Sequence, residues 1–455
     1  MNYQDFIASK EIDHIKAGFD AHEYWTPDQI MEFQYDIVMW ACRRGRSALL
    51  ADTGLGKTLM QLTWAKIISE HEVKPVLILS PLCVAQQTVR EGTKFGIEAV
   101  YMRIETDTSC KIHVTNYEML KNFNPAHYSG IVVDESSILK GMNGKTRQTI
   151  TDFAKTIPYR LSCTATPSPN DFMELGTQSE FLGIMSQVEM LATFFIHDGA
   201  DTSKWRLKGH ARRRFWEWIA TWACVVRDPS DLGYTDAGYD LPPLNLIEHV
   251  IETAPTSDMF PTIAQGLQDR NQARRESIDA RCAKAADLMK DWNCAIAWTN
   301  LNDESQMISR LTNAVEVTGS QDVDTKEQLI MDFTNNGGLL VTKPKIAGYG
   351  LNWQHCNKMV FIGLSDSFES FYQAIRRCWR FGQTKPVDVH IVISDREGAV
   401  LDNIKRKQAQ HDQMSSEMSS VMRDLTIAEI NGATVEKTDY APIEKIQLPE
   451  FFKCA

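Results

Sequence analysis

At 455 residues, 43% apolar and 24% charged, the chain is ordinarily globular and too long for one usual core, so two domains are expected. No apolar run reaches the roughly 20 residues of a membrane span; residues 1–10 lack the start of a secretory signal, and the ten cysteines include no C-x-x-C pair, so a cytoplasmic chain with free thiols and no structural zinc is expected. A net charge of −11 is unfavourable for nucleic-acid binding but does not exclude it, because a groove needs only local positive charge and backbone donors.

Apolar runs at 47–51, 76–79, 131–133 and 159–162, with helical patterns between several of them, predict a first α/β lobe. Runs at 295–298, 339–341, 359–362 and 387–392, separated by helical patterns at 304–311, 325–334 and 367–377, predict a second. Runs too apolar to alternate, spaced by helices, indicate parallel sheets covered on both faces. Between the lobes the composition shifts to aromatic and basic residues and ends in Asp240-Leu241-Pro242-Pro243, which reads as a mostly helical insertion and linker. Residues 398–431 carry a helical pattern without a strand run, and a tail follows. The expected units are 1–166, 167–246, 247–395 and 396–455.

The strongest local signal is Ala51-Asp52-Thr53-Gly54-Leu55-Gly56-Lys57-Thr58, set between an apolar strand and an amphipathic helix. Gly54 and Gly56 can take backbone angles that a Cβ forbids, turning successive amides toward a phosphate. The helix N-terminus adds donors and partial positive charge. Lys57 can reach the β- and γ-phosphates of a nucleotide, and the Thr58 hydroxyl can ligate magnesium. Glycine is the general choice where Ala51 stands.

Ile131-Val132-Val133-Asp134-Glu135 is a β-branched run ending in two carboxylates, which places both at the C-terminal edge of a parallel strand, where ligands bind in such sheets. There Asp134 suits magnesium, and Glu135 suits orienting and deprotonating an attacking water.

In this order the motifs resemble those of superfamily-2 helicases over almost the whole chain. Ala51 is the family's variant of the phosphate loop. Asp134-Glu135-Ser136-Ser137 stands where the family has Asp-Glu-Ala-His or a relative, with the two serines departing from the commoner forms. Thr164-Ala165-Thr166-Pro167 is similar to the third motif, and Phe33-Gln34-Tyr35 to the upstream glutamine motif, in which Gln34 would contact adenine. Residues 373–383 fit Q-A-x-x-R-x-x-R-x-G-Q, the form of Swi/Snf-type ATPases. Helical spacing puts Gln373, Arg377 and Arg380 on one face, with Arg376 pointing elsewhere. That face is either a solvated stripe or a set of groups reaching across a cleft to the transferring phosphoryl group, where arginine's planar fork suits phosphate oxygens. Gly348-Tyr349-Gly350-Leu351-Asn352 resembles the fifth motif, with Gly350 and Asn352 near the γ-phosphate.

The resemblance implies two tandem RecA-like lobes, a helical insertion after the third motif and a C-terminal helical segment. It implies a nucleic-acid-dependent ATPase using ATP and magnesium, and a monomeric motor on DNA. Ser80, Pro81, Thr115, Asn116, Thr342 and Lys343 would face the polymer backbone. In the insertion, Lys204, Arg206, Lys208, Arg212, Arg213 and Arg214 interleave with Trp205, Phe215, Trp216 and Trp218. This is either a stacking and phosphate-contact surface, giving Arg212 and Arg213 to the polymer, or an amphipathic helix with core tryptophans. Alternatives are an RNA helicase, a non-hydrolysing nucleotide switch, or the motor subunit of a larger assembly with a nuclease, methyltransferase or recombination partner. The Q-A-x-x-R-x-x-R-x-G-Q form argues against the first, and the full set of charged residues against the second.

Overall fold

The computed structural model describes residues 18–140, 144–166, 172–198, 201–236, 239–252, 275–348 and 351–430. Helix α1 (Glu32–Arg44) leads into β1 (Arg46–Ala51), and the glycine loop then opens α2 (Lys57–Glu72). There follow β2 (Val76–Ser80), α3 (Leu82–Lys94), β3 (Val100–Tyr101), β4 (Ile112–Asn116), β5 (Gly130–Asp134), α4 (Lys145–Ala154) and β6 (Tyr159–Cys163). Next come α5 (Leu175–Leu182), α6 (Gln187–Phe194), the hairpin β7 (Phe195–Asp198) and β8 (Asp201–Leu207), α7 (Arg212–Ala220) and β9 (Ala223–Val226). Strands β1 to β6 and β9 form one parallel sheet in the order β3-β4-β2-β5-β6-β1-β9.

The second lobe carries β10 (Leu244–Ile251), α8 (Ile278–Met289), β11 (Ala295–Thr299), α9 (Asn302–Thr312), β12 (Val315–Glu316), α10 (Val323–Asn336) and β13 (Leu339–Thr342). After the short α11 (Pro344–Ala347) come β14 (Lys358–Ile362), α12 (Phe368–Ile375), β15 (Val387–Ser394) and the long α13 (Gly398–Ile430). Its parallel sheet runs β10-β15-β14-β11-β13-β12.

The continuous apolar runs have a direct cause. Successive side chains of a strand point to opposite faces. Leu77, Leu79, Ile131 and Val133 enter one core of the first lobe, while Ile78 and Val132 enter the other. In the second lobe Trp298 and Phe361 lie on one face, and Ala297, Val360 and Ile362 on the other. A sheet covered on both sides leaves no polar alternation to read.

The stretch expected to be mostly helical is mixed. It supplies α5, α6 and α7, but also an antiparallel hairpin, the edge strand β9 of the first sheet and the edge strand β10 of the second. The aromatic residues Phe215, Trp216 and Trp218 are almost fully buried, so of the two readings of that cluster the core one holds for them. Arg212 pairs with Glu417 of α13, and Arg213 with Glu217 one turn along α7.

Helix α13 touches both lobes. Val400, Leu401 and Ile404 enter the core of the second, whereas Met418 and Met422 join the core of the first. Arg43 donates to the carbonyl of Ile430, closing the far end. Because Met422 is fully buried, Met422→Ala is expected to destabilise the first lobe by about 2–4 kcal/mol, from lost transfer energy and the cavity left behind. Urea unfolding followed by tryptophan fluorescence measures it.

Candidate active site

The loop after β1 is held from several sides. The Asp52 amide donates to Val226 of β9 at 2.9 Å, extending the sheet one residue beyond Ala51. Gly54 and Gly56 have φ of 96° and 79°, the left-handed region that favours glycine. A Cβ on Gly56 would lie 2.3 Å from the Gln34 side-chain nitrogen, so close packing also demands glycine there. Gln34 accepts from the Met31 amide at 3.0 Å and donates to the Leu55 carbonyl at 2.9 Å. The oxygen end of the glutamine expected at adenine therefore caps α1, while its nitrogen end braces the phosphate loop.

Lys57 folds back, donating to the carbonyls of Ala51 at 2.8 Å and Asp52 at 3.0 Å. Desolvation lowers its pKa, opposed by Glu135, Asp52 and Asp134. Thr58 is half-buried in the first turn of α2, and Thr53 and Leu55 line the same loop.

Parallel pairing brings β5 and β6 beside β1, so Asp134, Glu135 and Thr164 emerge on the same edge. Asp134 accepts from Gln61 of α2 at 2.7 Å. Burial, with the Glu135 carboxylate beside it, pushes Asp134 up to about 6. Glu135 sits at φ 49°, a strained angle for a side chain with a Cβ. One of its carboxylate oxygens is buried and makes no hydrogen bond among the described residues. Ser136 accepts from Ser162 of β6 at 2.9 Å, and its carbonyl from Gln178 of α5 at 3.1 Å. Ser136, the first of the two serines that depart from the commoner motif, thus ties the second motif to the strand leading into the third.

The second lobe reaches this edge through the chain after β14. A Cβ on Gly54 would meet the Phe381 Cβ at 2.9 Å and its nitrogen at 3.0 Å, so the two motifs are in contact. Gln373 donates to Thr166 across the cleft at 3.4 Å and accepts from Arg377 at 2.8 Å. Arg377 and Arg380 both donate to the Leu351 carbonyl, at 3.1 and 3.0 Å. Burial brings Arg377 down to about 10, with Arg380 lowering it further and Glu135 opposing. Arg380 is likewise lowered by burial and partly restored by Glu91 and Glu135.

One expectation is corrected. Helix α12 ends at Ile375, so Gln373, Arg377 and Arg380 do not share the face of a continuous helix. Arg376, expected to point away, is the arginine that crosses the cleft and pairs with Asp52 at 2.5 Å. Its position within the arginine run is the only sequence signal for it.

Asn352 has its side-chain oxygen buried without a hydrogen bond among the described residues; Gly350, Tyr349 and Pro167 lie outside them. Among the expected polymer contacts, the side chains of Ser80, Thr115 and Thr342 are fully buried. Thr342 donates to the Val317 carbonyl at 3.1 Å, while the Ser80 and Thr115 hydroxyls have no hydrogen-bond partner among the described residues. Asn116 is buried and accepts from the Met119 amide at 3.1 Å, while Pro81 is half-buried at the start of α3. Lys343 donates to Asn302 and stays near the surface. Arg212 and Arg213 are committed to the ion pairs described above, and the Lys204 side chain lies outside the description.

The model of the SNF2-related domain matches residues 33–195, and that of the helicase conserved C-terminal domain matches residues 281–382. The chain belongs to the Swi/Snf-like helicases of superfamily 2. As a member of that family it is a nucleic-acid-dependent ATPase. It is 26% identical over 433 residues to "Putative protein p41" of Acyrthosiphon pisum secondary endosymbiont phage 1, covering 80% of this chain and 92% of that one. It is 23% identical over 440 residues to the Drosophila melanogaster "SWI/SNF-related matrix-associated actin-dependent regulator of chromatin subfamily A-like protein 1", covering 84% of this chain and 55% of that longer protein. Among solved structures, the Sulfolobus solfataricus SWI2/SNF2 ATPase core in complex with dsDNA aligns over 90% of this chain and 99% of its own, at 18% identity and a TM-score of 0.43. No helix among the described residues of this Swi/Snf-like chain is long and apolar enough to cross a membrane.

The crowding at Asp134 has a measurable cost. A carboxyl raised to about 6 in the folded chain lowers stability above that pH, and the loss fades as pH falls toward the ordinary carboxylate range. Asp134→Asn, which keeps an acceptor for Gln61, is expected to stabilise the nucleotide-free protein by about 2 kcal/mol at pH 8 and to do little near pH 3. Thermal melts across that range decide it; equal effects at both ends would disprove the assignment.

Proposed function

We propose that this chain is an ATP-driven DNA translocase that hydrolyses ATP between its two lobes to move along or remodel duplex or branched DNA. The observation that carries the reading is the split site. The phosphate loop, Asp134 and Glu135 belong to the first lobe, and Gln373, Arg377 and Arg380 belong to the second. A site that is complete only when two lobes meet ties each turnover to their relative position, which is what a motor requires.

The residues fit a magnesium nucleotide. The loop keeps two left-handed glycines under its cradle, and one Glu135 carboxylate oxygen and the Asn352 side-chain oxygen are buried without a hydrogen bond among the described residues. The metal would be held by the Thr58 hydroxyl and Asp134, and when bound it supplies charge neutralisation at the β- and γ-phosphates. Lys57 exchanges its two carbonyl acceptors for phosphate oxygens. Glu135 orients the attacking water and takes its proton. Arg377 and Arg380 offset charge on the transferring group from the opposite wall. Thr53, Gly54, Leu55 and Gly56 present backbone amides, and Gln34 keeps that backbone in shape.

DNA is favoured over RNA by the form of residues 373–383 and by the match to the SNF2-related domain. The polymer contacts fall to backbone groups at the ends of β2, β4 and β13 and to Lys343, so binding is insensitive to sequence. The test is ATPase activity with single-stranded, duplex, forked and junction DNA beside RNA. Duplex-containing DNA is expected to stimulate turnover and RNA not; stimulation by RNA alone would overturn the reading. Glu135→Gln is expected to lower kcat by about 100-fold or more, as loss of a general base does, with the fold intact by circular dichroism.

A further inference from the structure

The cleft contains an ion pair that the hydrolytic scheme above does not use. Arg376 sits at the turn that ends α12, with its side chain only 4% exposed. Its terminal nitrogen lies 2.5 Å from the Asp52 carboxylate and 3.3 Å from the Thr53 carbonyl. Its Nε donates to the Thr53 hydroxyl. Asp52 is held in turn by the Thr53 amide at 2.6 Å and by the Tyr372 hydroxyl at 3.1 Å. The guanidinium lies 5.0 Å from the Trp379 ring and 5.7 Å from the Tyr372 ring, which keep water from it on the second-lobe side. The first-lobe groups that hydrogen-bond Arg376, Asp52 and Thr53, belong to the phosphate loop.

We propose that Arg376 is a positioning residue, whose pairing with Asp52 latches the second lobe onto the phosphate loop and sets Arg377 and Arg380 opposite Glu135. The inference rests on the function proposed above. It differs from a purely structural role for one reason. Arg377 and Arg380 are oriented inside their own lobe by the Leu351 carbonyl, and Arg377 also by Gln373. Loss of Arg376 leaves those bonds intact and removes only the registration across the cleft.

Other charged pairs join the lobes, but in wetter settings. Arg90 of α3 meets Glu327 of α10 at 2.9 Å, with side chains 44% and 27% exposed. Arg103 meets Asp324 at 3.5 Å, and both are half-exposed or more. Pairs of that kind contribute little. Lys140 meets the buried Glu369, but it touches no part of the phosphate loop. A desolvated, forked pair on the loop itself is stronger and geometrically specific.

The test uses the full chain and two readouts. In small-angle X-ray scattering without nucleotide, Arg376→Gln and Asp52→Asn are expected to enlarge the radius of gyration as the lobes part, and Arg90→Gln to leave it unchanged. The reciprocal pair Asp52→Arg with Arg376→Asp is expected to restore the compact value. In DNA-stimulated ATPase assays, each latch variant is expected to lose about 10- to 100-fold in kcat, as a misregistered catalytic group does. The double variant Asp52→Asn, Arg376→Gln is expected to be no worse than the poorer single one, since both remove one interaction. Unchanged scattering together with additive losses would overturn the latch. A wild-type chain without DNA-stimulated turnover would overturn the proposed function instead, leaving the scattering comparison to decide the latch by itself.

Discussion

Parallel pairing of β1, β6 and β5 makes their connecting loops leave the first sheet on one edge, and the rest of the site depends on that constraint. It brings residues more than a hundred positions apart within reach of one ligand without a dedicated scaffold. It also concentrates charge. Asp134, Glu135 and Lys57 share a narrow, poorly hydrated edge, and the upward push on Asp134 is the direct result. The hydrogen bond from Gln61 and the ammonium of Lys57 reduce that penalty without removing it. An edge loaded in this way is less stable than an apolar one, which is the usual condition of a site built for chemistry.

The same edge faces a second sheet of like construction, and several contacts link the two. Tyr239, in the linker, stacks on Phe381 of the second lobe at 4.6 Å and meets Phe33 of α1 edge-on at 5.7 Å. Phe381 lies over Gly54, so the linker ring, the glycine loop and the arginine run pack as one unit. On another side, α13 anchors its first turns in the second lobe and its later turns in the first. A change in lobe spacing therefore has to rearrange aromatic packing at Tyr239 as well as polar pairing in the cleft.

Most strands were legible in the sequence because both faces of each sheet are buried, which leaves runs such as Ile131-Val132-Val133 uninterrupted. Strand β4 escaped because His113, Thr115 and Asn116 are polar yet buried; His113 satisfies itself on Tyr128 and the Cys110 carbonyl, both at 3.0 Å. Strands β9 and β10 were hidden in a stretch whose aromatic content suggested helices, and β10, at a sheet edge, is too exposed to show an apolar run. At the site, the glycine loop and the paired acids were readable because their chemistry lies in adjacent residues. The arginine run was readable as a motif but not as geometry. Periodicity extended α12 past Ile375, whereas the chain turns there and brings Arg376 across the cleft as well. At the other strand ends, spacing identifies where a strand stops but not the burial of Ser80, Thr115 or Thr342.

That turn gives the cleft its electrostatic character. Lys57, Arg376, Arg377 and Arg380 stand against Asp52, Asp134 and Glu135, and the depressed values of Lys57, Arg377 and Arg380 reflect cations drawn out of water beside one another. Asp52 is committed to Arg376, and burial, which alone would raise its pKa, is outweighed by that arginine together with the Thr53 amide, Lys57 and the Tyr372 hydroxyl, so the carboxyl stays below its usual range. What remains is an excess of donors around Lys57, Arg377 and Arg380, temporarily satisfied by the carbonyls of Ala51, Asp52 and Leu351. Backbone carbonyls are weaker partners for a cation than phosphate oxygens, since charge-assisted pairs are roughly twice as strong as neutral ones. Lys57, Arg377 and Arg380 are thus held in place by backbone carbonyls, acceptors weak enough for phosphate oxygens to replace.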